Sequence, residues 1–297
     1  MEKIIIYQVF TRLFGNNNTS CVHNGDVQTN GVGKMSDFTM KALENIKKLG
    51  ATHIWYTGLI EHATQTDHTS FGIKKDNPAV VKGKAGSPYA IKDYYDIDPD
   101  LAVSVPNRMK EFENLVQRTH RAGLKFVIDF VPNHVARQYH SDSAPEGVIN
   151  LGEDDNKDCA FSNQNNFYYI PGTQLSAQFD LKDYIEFPAR ATGNDNFSAN
   201  PGINDWYETV KLNYGVDYNG GRTNHFDPIP DTWHKMLHIL LFWAGKKVDA
   251  FRCDMAEMVP VDFWHWAIPQ VKEQYPHIIF IAEVYNPAEY RNYLHYG

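Results

Sequence analysis

The sequence predicts an α/β protein built on a parallel sheet, and three observations carry that prediction. Strand-like and helix-like segments alternate along the chain. The strand-like segments are near-continuous apolar runs, the pattern of strands buried on both faces. Three of them end in polar or charged residues, as strands do when a ligand site lies outside their carboxyl ends.

The first strand is Ile4-Ile5-Ile6-Tyr7-Gln8-Val9-Phe10, rich in β-branched and aromatic side chains and read as buried. It follows Met1-Glu2-Lys3 directly and lacks the longer apolar core and small-residue cleavage site of a secretory leader, so the expected location is cytoplasmic. Ser36-Asp37 reads as the cap of a helix over residues 38–49, which Gly50 ends. Residues 52–57 form the second strand, 109–121 the second helix and 125–131 the third strand, which carries one carboxylate. A third helix over 231–244, a fourth strand over 247–254, a fourth helix over 261–274 and a fifth strand over 277–284 follow. Pro287 opens a fifth helix. A doubly wound sheet and a barrel both fit this alternation. The first strand runs into Thr11-Arg12-Leu13-Phe14-Gly15 and not into a glycine-rich phosphate turn, which argues against a dinucleotide-binding enzyme.

Between the third strand and the third helix lie about 95 residues rich in Asn, Asp, Gly and Tyr, without helical periodicity. A structureless loop of that length is out of place in a compact domain, so it reads as a small inserted domain. The expected organisation is a first catalytic part over 1–134, the insertion over 135–230, and a continuation over 231–297. The acidic run over 152–158 reads as a solvated loop.

Composition narrows the function. With 28 Lys+Arg against 36 Asp+Glu the formal net charge is -8, and a nucleic-acid binder needs the opposite balance. No apolar run is long enough for a membrane-spanning helix. Three cysteines, Cys21, Cys159 and Cys253, form neither an even set nor a metal-type spacing, which fits a reducing compartment. Aromatic residues make up 13% of the chain, enough to keep in view a pocket lined by flat rings that match the C–H faces of sugars.

The chemistry concentrates at three strand tips: Asp129-Phe130-Val131-Pro132-Asn133-His134, Arg252-Cys253-Asp254, and Glu283. Charged residues ending apolar strands are costly unless paired or used. Neighbouring parallel strands lie about 5 Å apart, so Asp254 and Glu283 are expected to stand roughly 5 to 5.5 Å apart, the separation of a retaining glycosidase. Arg252, two residues before Asp254, points to the same face and is expected to keep Asp254 ionised. A purely structural Arg–Asp pair has the same spacing.

These residues resemble the signature regions of the α-amylase family of glycoside hydrolases, family thirteen. The first is Asp129 to His134, the second Val248-Asp249-Ala250-Phe251-Arg252-Cys253-Asp254, and the third Phe280-Ile281-Ala282-Glu283. Upstream, Ser87-Pro88-Tyr89-Ala90-Ile91-Lys92-Asp93-Tyr94-Tyr95-Asp96-Ile97-Asp98-Pro99 is similar to the family's stretch after the second strand. The resemblance implies a (β/α)8 barrel of the α-amylase type, of which about the first five βα units are present, with the insertion as the family's second domain. It implies Asp254 as nucleophile, Glu283 as general acid/base, and an α-glucan or maltooligosaccharide substrate. By the same resemblance Arg252 orients Asp254, Asp129 buttresses the site, His134 hydrogen-bonds the sugar, and Tyr89 stacks under it. Asn133 matches a side chain that ligates a structural calcium in many members, so calcium is the implied metal; no organic cofactor is implied. The resemblance has departures. Glu257 and Met258 stand where the family commonly has Lys and His, and Lys211 stands where an aspartate is usual. A lysine cannot ligate a hard cation. The stretch that carries the family's third carboxylate is not in the sequence. The expectation is therefore an active parent protein, with this piece alone not turning over substrate. The alternative is a non-catalytic, amylase-like glucan-binding or scaffold protein.

Overall fold

The computed structural model describes residues 3–295, so the outermost residues of the expected first and last segments, 1–2 and 296–297, lie outside the described residues. Five strands form one sheet: β1 (Ile6–Phe10), β2 (His53–Thr57), β3 (Lys125–Phe130), β4 (Ala250–Cys253) and β5 (Ile279–Ala282). All four pairings are parallel, and the spatial order is the chain order without reversal. A doubly wound sheet reverses at its switch point, whereas successive neighbours are the order of a (β/α) barrel. The structure thus decides between two readings that alternation alone left open.

The helices follow their apolar spacing. In α2 (Arg108–Arg121) the buried residues Phe112, Leu115, Val116 and Thr119 recur at helical intervals. Helices α3 (Asp231–Gly245) and α4 (Val261–Gln274) pack on the sheet through Trp233, Met236, Leu240, Trp243 and Phe263, all in the main core. The first helix, α1 (Met40–Lys48), starts later than Ser36-Asp37 implies. Thr39 caps it, its hydroxyl accepting from the Ala42 N–H at 3.3 Å, because the Asp37 carboxylate is already taken by the Lys34 N–H at 2.7 Å. After Pro287 a single 3₁₀ turn precedes α5 (Tyr290–His295).

The first strand is not buried as expected. Ile4, Ile5 and Ile6 are 45%, 39% and 38% exposed. Among the described residues β1 pairs with β2 alone and β5 with β4 alone, so both outer edges of the sheet are unpaired.

A buried antiparallel pair, Ile60–His62 with Ile91–Ile97, follows β2 and has no counterpart in the strand pattern of the sequence. Its charged residues are held by partners just outside the pair: Lys92 Nζ lies 3.2 Å from Asp76, His62 lies 3.2 Å from Asp98, and Arg108 grips Asp96. The stretch over 135–230 consists of turns and short antiparallel pairs. The innermost pair joins His134–Ala136 to Thr209–Lys211. Val135, Phe167, Val210, Leu212 and Tyr214 belong to the main core, while Leu175, Ala189 and Ala199 form a small cluster of their own. Arg137, 1% exposed, ties the segment together through Glu186 at 2.6 Å. Breaking such a pair from one side costs about 3–5 kcal/mol, because the remaining charge stays buried.

Candidate active site

The parallel register brings the strand tips together. Arg252 pairs with Asp129 across β3–β4, and Cys253 pairs with Ala282 across β4–β5, so Asp254 and Glu283 are the next residues in register. Side chains two apart share a face, and Arg252 lies among them. Its NH1 donates to Asp254 Oδ1 at 2.7 Å and to Asp129 Oδ1 at 3.2 Å, and its NH2 pairs with Glu283 Oε1. The guanidinium also lies 4.8 Å from the Trp55 ring centroid and 5.4 Å from that of Tyr89. Trp55 Nε1 donates to Asp129 Oδ2 at 3.0 Å, which holds that carboxylate beneath the site.

Asp254 and Glu283 are both drawn onto one guanidinium, that of Arg252. Burial pushes the Asp254 carboxyl up to about 7, and Arg252 only partly opposes it. The expectation that Arg252 keeps Asp254 ionised is corrected here: one positive charge is divided among three carboxylates, and desolvation wins. Burial acts on Glu283 in the same sense but is outweighed. The Met255 N–H at 2.9 Å, the Tyr285 hydroxyl at 2.8 Å and Arg252 hold it below the usual carboxylate range. Of the two, Asp254 is the group that favours its proton and Glu283 the one that favours ionisation. Burial also raises Asp129, to about 6. His134 is kept neutral by burial and by Lys211, which lower it to about 3.

Tyr89, His134, Arg252, Asp254 and Glu283 line one cavity of about 420 Å³, and Asp129 lies below it. Further lining residues outside the sequence motifs include Lys82, Trp206, Glu208 and Tyr285. Trp206 and Glu208 lie just before the strand that pairs with His134–Ala136, and the Trp206 ring centroid is 5.2 Å from that of His134. Tyr285 was within reach of sequence reasoning, since it lies two residues after Glu283. Gly193 lets the insertion press on this wall. A Cβ there would fall 2.5 Å from Thr209 Oγ1 and 2.8 Å from His134 Cβ.

Asn133 lies behind His134 and is 1% exposed. Its Nδ2 donates to the Gly193 carbonyl at 2.8 Å, and its Oδ1 accepts from Lys211 Nζ at 2.7 Å. The same ammonium is 2.6 Å from Asp195 Oδ1 and 5.2 Å from the Tyr218 ring centroid. A calcium needs six to eight oxygens. Here the one oxygen that Asn133 offers faces a fixed positive charge, so the residues present do not fit the metal that the resemblance implied.

The chain is similar to several known proteins. An alpha-1,4-glucan:maltose-1-phosphate maltosyltransferase of Cereibacter sphaeroides is 31% identical over 99 residues, covering 33% of this chain and 15% of that protein. The trehalose-6-phosphate hydrolase of Bacillus subtilis is 28% identical over 261 residues, covering 88% of this chain and 36% of that protein. The crystal structure of an alpha-amylase from Lactobacillus plantarum superposes with a TM-score of 0.56 at 25% identity, covering 96% of this chain and 46% of its own. The chain thus spans about half the length of that solved relative. No helix among the described residues is long and apolar enough to cross a membrane. The alpha amylase catalytic-domain family matches residues 8–294, nearly the whole length, and the chain belongs to that family.

Proposed function

We propose that Asp254 and Glu283 are the nucleophile and the acid/base of a retaining glycosidase or transglycosidase acting on α-glucosidic bonds of starch-like glucans or maltooligosaccharides. The observation that carries this reading is Arg252 holding the Asp254 and Glu283 carboxylates at adjacent strand tips over Asp129. A binding protein has no need of three carboxylates, two of them buried, around one guanidinium. The relatives' names include both transfer and hydrolysis, so the reading covers both.

The single proton of the pair defines the sequence of steps. For reaction it stands on Glu283, with Asp254 ionised beside Arg252. Asp254 attacks the anomeric carbon while Glu283 gives the proton to the leaving glycosidic oxygen. A glycosyl ester forms on Asp254 and an alcohol departs. Water or a second sugar hydroxyl then attacks the ester, Glu283 takes its proton, and Asp254 leaves as carboxylate. Tyr89 supplies a flat face for the sugar, and neutral His134 donates to or accepts from a hydroxyl. No step needs a metal ion.

Asp254→Asn tests the assignment. Maltooligosaccharide cleavage by the parent protein is expected to fall at least about a thousandfold, with the far-UV circular dichroism unchanged. A variant that kept most of the activity would overturn the nucleophile assignment. Binding of maltooligosaccharide by the native parent protein with no product formed would favour the non-catalytic, glucan-binding alternative.

A further inference from the structure

The cleft contains a second charged pair that the catalytic steps do not use. Glu208 is 5% exposed and lines the cavity shared by Asp254 and Glu283. Lys82 Nζ lies 3.2 Å from Glu208 Oε2, yet that oxygen receives no hydrogen bond. Lys82 Nζ donates instead to the Asp205 carbonyl at 3.2 Å, and it stands 5.3 Å from the Tyr207 ring centroid. Glu208 is thus a buried acceptor facing a ligand cavity with a charge partner but no donor. A buried carboxylate oxygen in that state is costly unless something else donates to it.

The cations of the cleft are all committed. Arg252 is divided among Asp129, Asp254 and Glu283. Lys82 faces Glu208, and His134 is neutral. A phosphate entering here would meet Asp254, Glu283 and Glu208 with no unpaired cation to receive it. A sugar hydroxyl meets an acceptor that lacks a donor.

We infer that Glu208 is a specificity-determining residue of this cleft, accepting a hydroxyl of an unphosphorylated sugar at Oε2 and excluding sugar phosphates by masking Lys82. This rests on the reading of the cleft as a glucan site. It assigns to one residue the choice between a neutral and an anionic sugar.

The test is calorimetric titration of the full chain with maltotriose and, separately, with glucose 6-phosphate. The native chain is expected to bind maltotriose and to show no heat with glucose 6-phosphate. Glu208→Gln should bind maltotriose about tenfold more weakly, the loss of a hydrogen bond to a charged acceptor. It should also acquire binding of glucose 6-phosphate. Adding Lys82→Met to that variant should abolish the acquired binding. Glu208→Asp, which withdraws the carboxylate by one methylene, is a second variant and should acquire the same binding more weakly.

Several results overturn the inference. One is a native chain that binds glucose 6-phosphate as well as Glu208→Gln does. Another is a Glu208→Gln chain that binds both sugars as the native chain does. If maltotriose binds and Glu208→Gln changes nothing, the glucan reading stands and the role of Glu208 falls. If the native chain binds neither sugar but Glu208→Gln acquires glucose 6-phosphate, the masking of Lys82 stands and the glucan reading falls. If no variant binds either sugar, both fall.

Discussion

Buried against Arg252, Asp254 holds its proton up to about pH 7, whereas the same group in the unfolded chain releases it near 3.8. Between those values the folded state binds more protons than the unfolded state, so this group's contribution to stability falls as pH rises from about 4 to about 7. Glu283 is lowered, and its smaller contribution runs the other way, lost as pH falls through its range. Asp254→Asn removes the larger effect. In denaturant melts the variant should be more stable than the native chain at pH 8, by about 1–3 kcal/mol. The difference should shrink as the pH is lowered to 5. A gap that stayed constant with pH would mean that Asp254 is ionised throughout. Asp254, Glu283, Arg252 and Asp129 were legible in the sequence because charge ends an apolar run at each of these tips. Their proton distribution was not. It depends on how three carboxylates divide one guanidinium, and that is a property of the packed site. Glu208 and Lys82 were illegible for another reason: neither lies in a periodic segment, and the pairing of His134–Ala136 with Thr209–Lys211 is what carries Glu208 to the cleft.

That pairing also carries Lys211 to Asn133. The ammonium, 2% exposed, joins the end of β3 to the insertion through Asn133, Asp195 and the Tyr218 ring. Lys211→Met would leave the Asn133 oxygen and the Asp195 carboxylate without their cation, a loss of about 3 kcal/mol. A ligand that binds only the folded state raises its stability by mass action. A chain with Lys211 in this place should gain nothing from calcium, so its melting temperature is expected to be the same with calcium and with a chelator. A shift of several degrees on adding calcium would show that the metal binds despite the ammonium. At this scale the helices and sheet strands were readable from periodicity, with ends displaced by a few residues. The pair Ile60–His62 with Ile91–Ile97 was not, because Glu61, Lys92, Asp93 and Asp96 are all buried. Buried charges on both faces remove the alternation of apolar and polar residues by which a strand is recognised.

The whole molecule is an open sheet with one main core. Residues of the 135–230 stretch share that core with β1 to β4 and the helices, so the sheet and that stretch hold each other in place. What the core does not cover is the side of β1. Ile4, Ile5 and Ile6 are each more than a third exposed, and Ile6, Trp55, Val127 and Ile281 line an open cavity of about 240 Å³. An unpaired parallel edge with apolar side chains beside it is a template for another strand. The chain of 34.0 kDa by itself is therefore expected to self-associate. Sedimentation velocity should show species larger than the monomer at about 50 µM, within the range where unpaired edges associate. Ile6→Lys places a charge on the strand and on the open face together, and should weaken that association about tenfold while Asp254, Glu283 and Arg252 keep their geometry. A native chain that stayed monomeric at that concentration would mean that the edge is protected by some feature other than pairing. Association unchanged in Ile6→Lys would place the contact elsewhere, with the exposed apolar residues of the insertion, Ile185 and Phe187, as the next surface to substitute.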